Sequence, residues 1–193
     1  MFEYISGTLI ELNPTYAIIE NGGIAYFINI SLNTYSQLTE KIEQKLYLHQ
    51  VIREDAHLLF GFAEKSERDL FRLLITVSGI GANTARMMLS SLSSKDIRNA
   101  ILTGNVNVLQ GIKGIGLKTA QRLIIELKDK VVKAEPDGEI FVSGGNTRRE
   151  EALSALVMLG FNKAAVEKNL DKIIQEEADL SVEALIKLAL KRL

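Results

Sequence analysis

The sequence predicts an α+β chain in three parts: a small five-stranded β-barrel, a basic helical segment, and a C-terminal module of three helices. Three observations predict it. Apolar residues of short period fill the first 62 positions, helical stripes replace them after Phe62, and the charge changes sign twice along the chain. Residues 1–63 hold 3 basic and 7 acidic side chains, a net of −4. Residues 64–133 hold 12 and 6, a net of +6, and residues 134–193 hold 8 and 11, a net of −3. The overall charge of −1 hides this pattern. Attraction to a polyanion follows the local field, so the basic middle is the better guide to a partner.

Composition narrows the classes. Of 193 residues 47% are hydrophobic and 24% charged, the make-up of a soluble globular protein. No run approaches the roughly 20 consecutive apolar residues that cross a bilayer, and the opening Met1–Glu11 carries Glu3 and no basic residue, which predicts no signal peptide. Cysteine is absent, which excludes disulfides, thiolate metal sites and a thiol nucleophile, and fits a cytoplasmic protein. His49 and His57 are the two histidines, too few for a histidine-rich metal centre.

In order along the chain, Met1–Ser6, Thr8–Leu12 and Thr15–Glu20 read as strands, and Asn21-Gly22-Gly23 is a hairpin turn signal. Ile24–Ser31, Lys45–Ile52 and Ala56–Phe62 follow. About five short strands in roughly 60 residues predict an OB-like barrel, though another small barrel would give the same string. Ser66 is the expected cap of a helix with apolar Leu70, Phe71, Leu74 and Ile75. Thr84–Ser91, Ser94–Leu102 and Lys118–Val131 are further helices. Residues 134–146, with Pro136, Gly138, Gly144 and Gly145, read as a flexible linker. Thr147–Glu150 opens a helix with a capping-box pattern, Gly160 ends it, and helices near Lys163–Ile174 and Ser181–Leu193 complete the C-terminal module over 147–193.

The basic middle contains one pattern twice. Gly79-Ile80-Gly81-Ala82-Asn83-Thr84-Ala85 returns 35 residues later as Gly114-Ile115-Gly116-Leu117-Lys118-Thr119-Ala120. A chain reversing tightly between helices needs a residue that takes positive φ, which glycine supplies. A second glycine at the start of the next helix lets its unpaired N–H groups approach an anion, assisted by the helix dipole. The intervening Ile anchors the corner, and Thr84 and Thr119 place hydroxyls in the first turn. Such a site reads the sugar–phosphate backbone and no base edge. One copy alone is an ordinary glycine corner; two copies in the most basic stretch predict nucleic-acid binding. Arg86, Lys113, Lys118 and Arg122 supply charge beside the corners, although any one of them also reads as a solvated surface cation.

Two tandem helix-hairpin-helix motifs over 64–133, behind a five-stranded barrel over 1–63 and before a three-helix tail, closely resemble the bacterial RuvA family of Holliday-junction branch-migration proteins. The resemblance spans the whole chain, and Val51–Phe62 looks like the family's strand, acidic loop and strand. It implies a homotetramer that binds an open four-way DNA junction without sequence preference in recombination and repair. It implies that Glu54 and Asp55 form an acidic pin near the crossover, with Arg53 beside them to hold the loop or contact DNA; carboxylates there would repel phosphates and part the strands. Without the family, Arg53-Glu54-Asp55 is a polar turn between strands. The implied partner is a RuvB-type hexameric ATPase, docked through the C-terminal module, and a RuvC-type junction resolvase is a further candidate. ATP would be consumed by the motor, leaving this chain without cofactor, metal or catalytic residue. The first corner has Asn83, and the second Leu117, where the family often places lysine.

Two other classes compete. Helix-hairpin-helix enzymes need a nucleophile or base, often a Lys–Asp pair in a pocket, or a carboxylate cluster for metal; the hairpin region offers no tight acidic cluster, and no ATP phosphate loop is present. A single-strand binder using the barrel needs exposed aromatics on a basic groove, whereas residues 1–63 are net acidic. Tyr26 and Phe27 are neighbours on opposite faces of a strand, so one belongs to the core. Among Leu153, Leu156, Val157, Leu159 and Phe161 most are expected in the core of the tail, with some exposed for docking.

Overall fold

The computed structural model describes residues 2–39, 42–133, 146–177 and 180–192. Contacts divide it into two compact units, Met1–Glu135 and Pro136–Leu193.

In the first unit, β1 (Tyr4–Asn13), β2 (Tyr16–Asn21), β3 (Ile24–Ile30), β4 (Glu43–Ile52) and β5 (His57–Phe62) close into a barrel in the order β1-β2-β3-β5-β4. Every pair is antiparallel except β3–β5. The two expected strands Met1–Ser6 and Thr8–Leu12 are one. β1 runs through Gly7, pairing with β4 over Tyr4–Thr8 and with β2 over Thr8–Asn13. Gly7 is the crossing point: a Cβ there would lie 2.1 Å from the Glu20 carbonyl oxygen. The sequence signal for a break therefore marks a close approach. A short helix, α1 (Leu32–Tyr35), leaves β3; four residues are too few for a periodicity to reveal. Ile5, Leu9, Ile19, Ile28, Leu46 and Leu48 fill the barrel.

The helical part holds α2 (Lys65–Leu74), α3 (Ala82–Ser91), α4 (Ser94–Thr103), α5 (Val106–Gln110) and α6 (Leu117–Lys133). The expected cap at Ser66 is corrected. α2 begins at Lys65 with Glu64 as its N-cap, and the Ser66 hydroxyl lies inside the first turn, donating to Glu64 Oε2 at 3.0 Å. Only Ala63 and Glu64 separate β5 from the helix, so the chain turns earlier than the hydroxyl suggested. Phe60 and Phe62 of β5 belong to the same buried cluster as Leu70, Phe71 and Leu74 of α2, with Phe71 ringed by both phenylalanines at 5.3 and 4.9 Å. One core thus joins barrel and helices.

Polar ties reinforce the seam. Arg68, 1% exposed, donates to the Glu3 carbonyl at 3.1 Å, to the Glu3 carboxylate, and to Asp69. The buried Glu67 carboxylate accepts from Ser31 Oγ at 2.5 Å and Thr34 Oγ1 at 2.8 Å, and burial pushes its pKa up.

The second unit packs α7 (Asn146–Met158), α8 (Lys163–Glu176) and α9 (Val182–Arg192) around Ala152, Leu156, Val166, Leu170, Ile173, Leu185 and Ala189. The linker expected over 134–146 lies, up to residue 145, outside the described residues, as does the side chain of Thr147 on which the capping box rests.

Candidate nucleic-acid interface

The repeated pattern folds into two corners with the same hydrogen bonds. The first joins α2 to α3 and the second joins α5 to α6. Gly79 and Gly114 take φ of 93° and 89°, the left-handed region that side chains resist. Ile80 N–H donates to the Val77 carbonyl at 3.0 Å, and Ile115 N–H to the Ile112 carbonyl at 3.1 Å. Ala85 N–H and Ala120 N–H then make the first helical bonds, to the Gly81 and Gly116 carbonyls, both at 2.9 Å. Ahead of those bonds, the amides of residues 82–84 and 117–119 have no partner within their helices.

Ile80 and Ile115 are buried at 4% and 5% exposure, the anchors the pattern predicts. Outward, all four glycines are open: a Cβ on Gly79, Gly81, Gly114 or Gly116 would meet nothing within 4 Å. Each corner therefore offers bare main chain and the positive end of a helix dipole to solvent. Thr84 and Thr119 sit half-buried in the first turns.

The charges around the corners differ. Lys113 and Lys118 flank the second, both exposed and neither ion-paired among the described residues. Ser78 and Asn83 hold the matching places in the first, both exposed and neutral. Arg122 of α6 reaches back to the first corner, where Nη1 donates to the Ser78 carbonyl at 3.3 Å; its Nε lies 3.9 Å from Glu126.

Arg86 departs from the expected role of free cation. It is half-buried, and Nη1 donates to the Thr15 carbonyl and to Asn29 Oδ1, each at 3.0 Å. Burial draws its pKa down from the ordinary guanidinium value. Both acceptors belong to the barrel, so this side chain is committed to the seam rather than held out beside Gly81.

Arg53, Glu54 and Asp55 form the exposed tip of the β4–β5 hairpin, closed by Arg53 N–H donating to the Ala56 carbonyl at 2.8 Å. Both carboxylates stand in solvent without an ion-pair partner among the described residues.

Sequence reasoning missed some features and left others as an either-or. Lys45 Nζ lies 4.2 Å from the centre of the Tyr4 ring, a cation–π pair on the barrel. Phe27 is exposed and stacks on Tyr16 at 4.6 Å, while Tyr26 packs toward the core. The Tyr16 hydroxyl donates to Glu11 at 2.5 Å, so this aromatic pair adjoins a carboxylate rather than a basic groove. In the tail Leu156 is buried and Leu153 and Phe161 pack against the core. Val157 and Leu159 are exposed, and between them Met158, which the sequence did not single out, is 86% exposed. Among the described residues no three His, Asp or Glu side chains gather as a metal would require, and no helix is long and apolar enough to cross a membrane.

Comparison with known proteins agrees with this layout. Residues 1–61 match the family described as RuvA N terminal domain, residues 71–129 the SAM-like helix-hairpin-helix tandem, and residues 147–193 the RuvA C-terminal domain. Proteins named Holliday junction branch migration complex subunit RuvA match over the full length of both chains. The one from Christiangramia forsetii is 53% identical over 193 residues, that from Flavobacterium psychrophilum 51% over 193, and that from Bacteroides fragilis 51% over 201. With the barrel, the paired corners and the tail all accounted for at such identity, the chain belongs to the RuvA family.

Proposed function

We propose that this protein binds four-way DNA junctions by their backbones and serves branch migration as a non-catalytic subunit. The observation that carries the reading is the duplicated corner, bonded identically in both copies and open on its outer side. Two such anion sites on one unit suit the two strands of a duplex arm. Contacts to main-chain amides carry no base information, so recognition depends on shape. The Glu54–Asp55 tip acts as the pin that keeps a duplex from lying across the crossover.

The protein works as a homotetramer, one subunit per arm. Exposed Ile125 and Val132 on α6, at 79% and 60%, are the kind of apolar surface that self-association covers. A RuvB-type hexameric motor docks on the C-terminal unit, where Val157, Met158 and Leu159 are exposed at the end of α7, and the motor supplies the ATP chemistry. A RuvC-type resolvase shares the assembly, which acts in the cytoplasm.

A gel-shift panel of four-way junction, linear duplex and single strand at moderate salt tests this. The expected order is junction well ahead of duplex and single strand. Equal affinity for all three overturns it.

A further inference from the structure

Arg86 occupies, in the first corner's helix, the place that Gln121 holds in the second. Its two acceptors lead on through the barrel. Thr15, beside the β1–β2 turn, also receives Ile30 N–H at 3.1 Å. Asn29 of β3 uses its other end to donate, through Nδ2, to the Leu59 carbonyl of β5 at 3.1 Å. The β5 strand begins two residues after Asp55. The other strand of that hairpin, β4, is held by α2: Arg72 Nη2 donates to the Leu48 carbonyl at 3.2 Å. The two strands that carry the acidic tip are therefore tied to the helices that enter and leave the first corner, β4 directly through Arg72 and β5 at one remove, through Asn29 and Arg86.

We infer that Arg86, acting with Asn29, is a positioning residue that fixes the acidic tip relative to the first phosphate-binding corner. This rests on the junction-binding reading above. A duplex arm needs only the corners, whereas a four-way junction must meet corners and tip at set distances. Swinging Arg86 out to a phosphate would strip Asn29 Oδ1 of its donor within a half-buried seam, an unfavourable exchange.

The test uses the full chain as Arg86→Gln and as Asn29→Ala, with a four-way junction and a linear duplex measured across a salt series. Gln at this position is compatible with the corner, because Gln121 occupies the equivalent place. The expected result for both variants is junction affinity weakened about tenfold. Duplex affinity stays within about twofold, and the slope of log K against log salt is unchanged. If Arg86→Gln weakens both DNAs alike and flattens the slope by about 1, Arg86 is a phosphate ligand and the inference is overturned. Unchanged junction affinity in both variants overturns it as well. Asn29→Ala alters no charge, so it decides the matter even if Arg86→Gln melts early. A wild-type protein that fails to prefer the junction sinks the functional reading itself, visibly and before any variant is compared.

Discussion

The two glycine corners share a backbone and a buried Ile, and differ in the charges placed around them. In the second, Lys113 and Lys118 stand exposed on either side of the turn. In the first, the same places hold Ser78 and Asn83, and the nearby cation, Arg86, is turned inward to the barrel. One residue further on the exchange reverses: Met87 in the first copy faces Arg122 in the second, and Arg122 reaches over to Ser78. Duplication preserved the geometry while the charges moved. The second corner carries exposed cations, and the first is neutral at its rim and fixed to the barrel through Arg86; on the proposed function, the second would do more of the attracting and the first would hold DNA mainly by main-chain amides.

The strongest way to break this contrast is to destroy one corner. Gly114→Val forces a β-branched residue to φ near 89°. Junction affinity is expected to fall at least about 100-fold, with Gly79→Val costing less because its corner carries less of the attraction. Gel shifts on protein with wild-type circular dichroism check it, and an equal loss at both corners would remove the asymmetry. Next in size, Lys118→Met is expected to weaken binding by about tenfold at moderate salt and to reduce the salt slope by about 1. The reciprocal change, Asn83→Lys, is expected to tighten binding several-fold and steepen the slope by about 1, which a fluorescence anisotropy titration resolves. Reversing Glu54 and Asp55 together to Lys should leave binding intact or tighter while slowing motor-driven branch migration; loss of affinity would show that the tip is not a pin.

The smallest effect belongs to Glu67, distant in role from either corner. Burial raises its pKa, so the folded chain holds that proton more tightly than the unfolded chain does. The stabilising contribution is complete below the ordinary carboxylate value and is lost as pH rises through the raised one. Glu67→Gln is therefore expected to melt slightly higher than wild type at pH 7, with the difference shrinking toward pH 4 and no change in junction affinity. Thermal melts at the two pH values would expose a difference that runs the other way.

How much of this was legible in the sequence depends on the distance over which each residue finds its partners. The corners were readable because their determinants are local: a glycine at positive φ, an Ile as the next residue, a helix start. The barrel was readable from its alternation. Arg86 was not, because its acceptors lie 57 and 71 residues earlier and one is a main-chain carbonyl. The same holds for Glu67 and its two hydroxyl partners. Gly7 looked like a break because sequence shows a missing side chain but not the Glu20 carbonyl that occupies its place. Helices α1 and α5, four and five residues long, are shorter than any periodic signal. In the tail, two positions along α7 separate buried Leu156 from exposed Met158, a distinction set by how three helices meet.

The phenylalanines at the end of β5 bear on how the chain can be cut. A fragment stopping at residue 63 would carry Phe60 and Phe62, each 1% exposed in the intact unit, with α2 no longer over them. Two large rings returned to water at a strand end invite aggregation. Anyone wishing to express the front of this protein by itself should keep the barrel together with its helices, ending near residue 133.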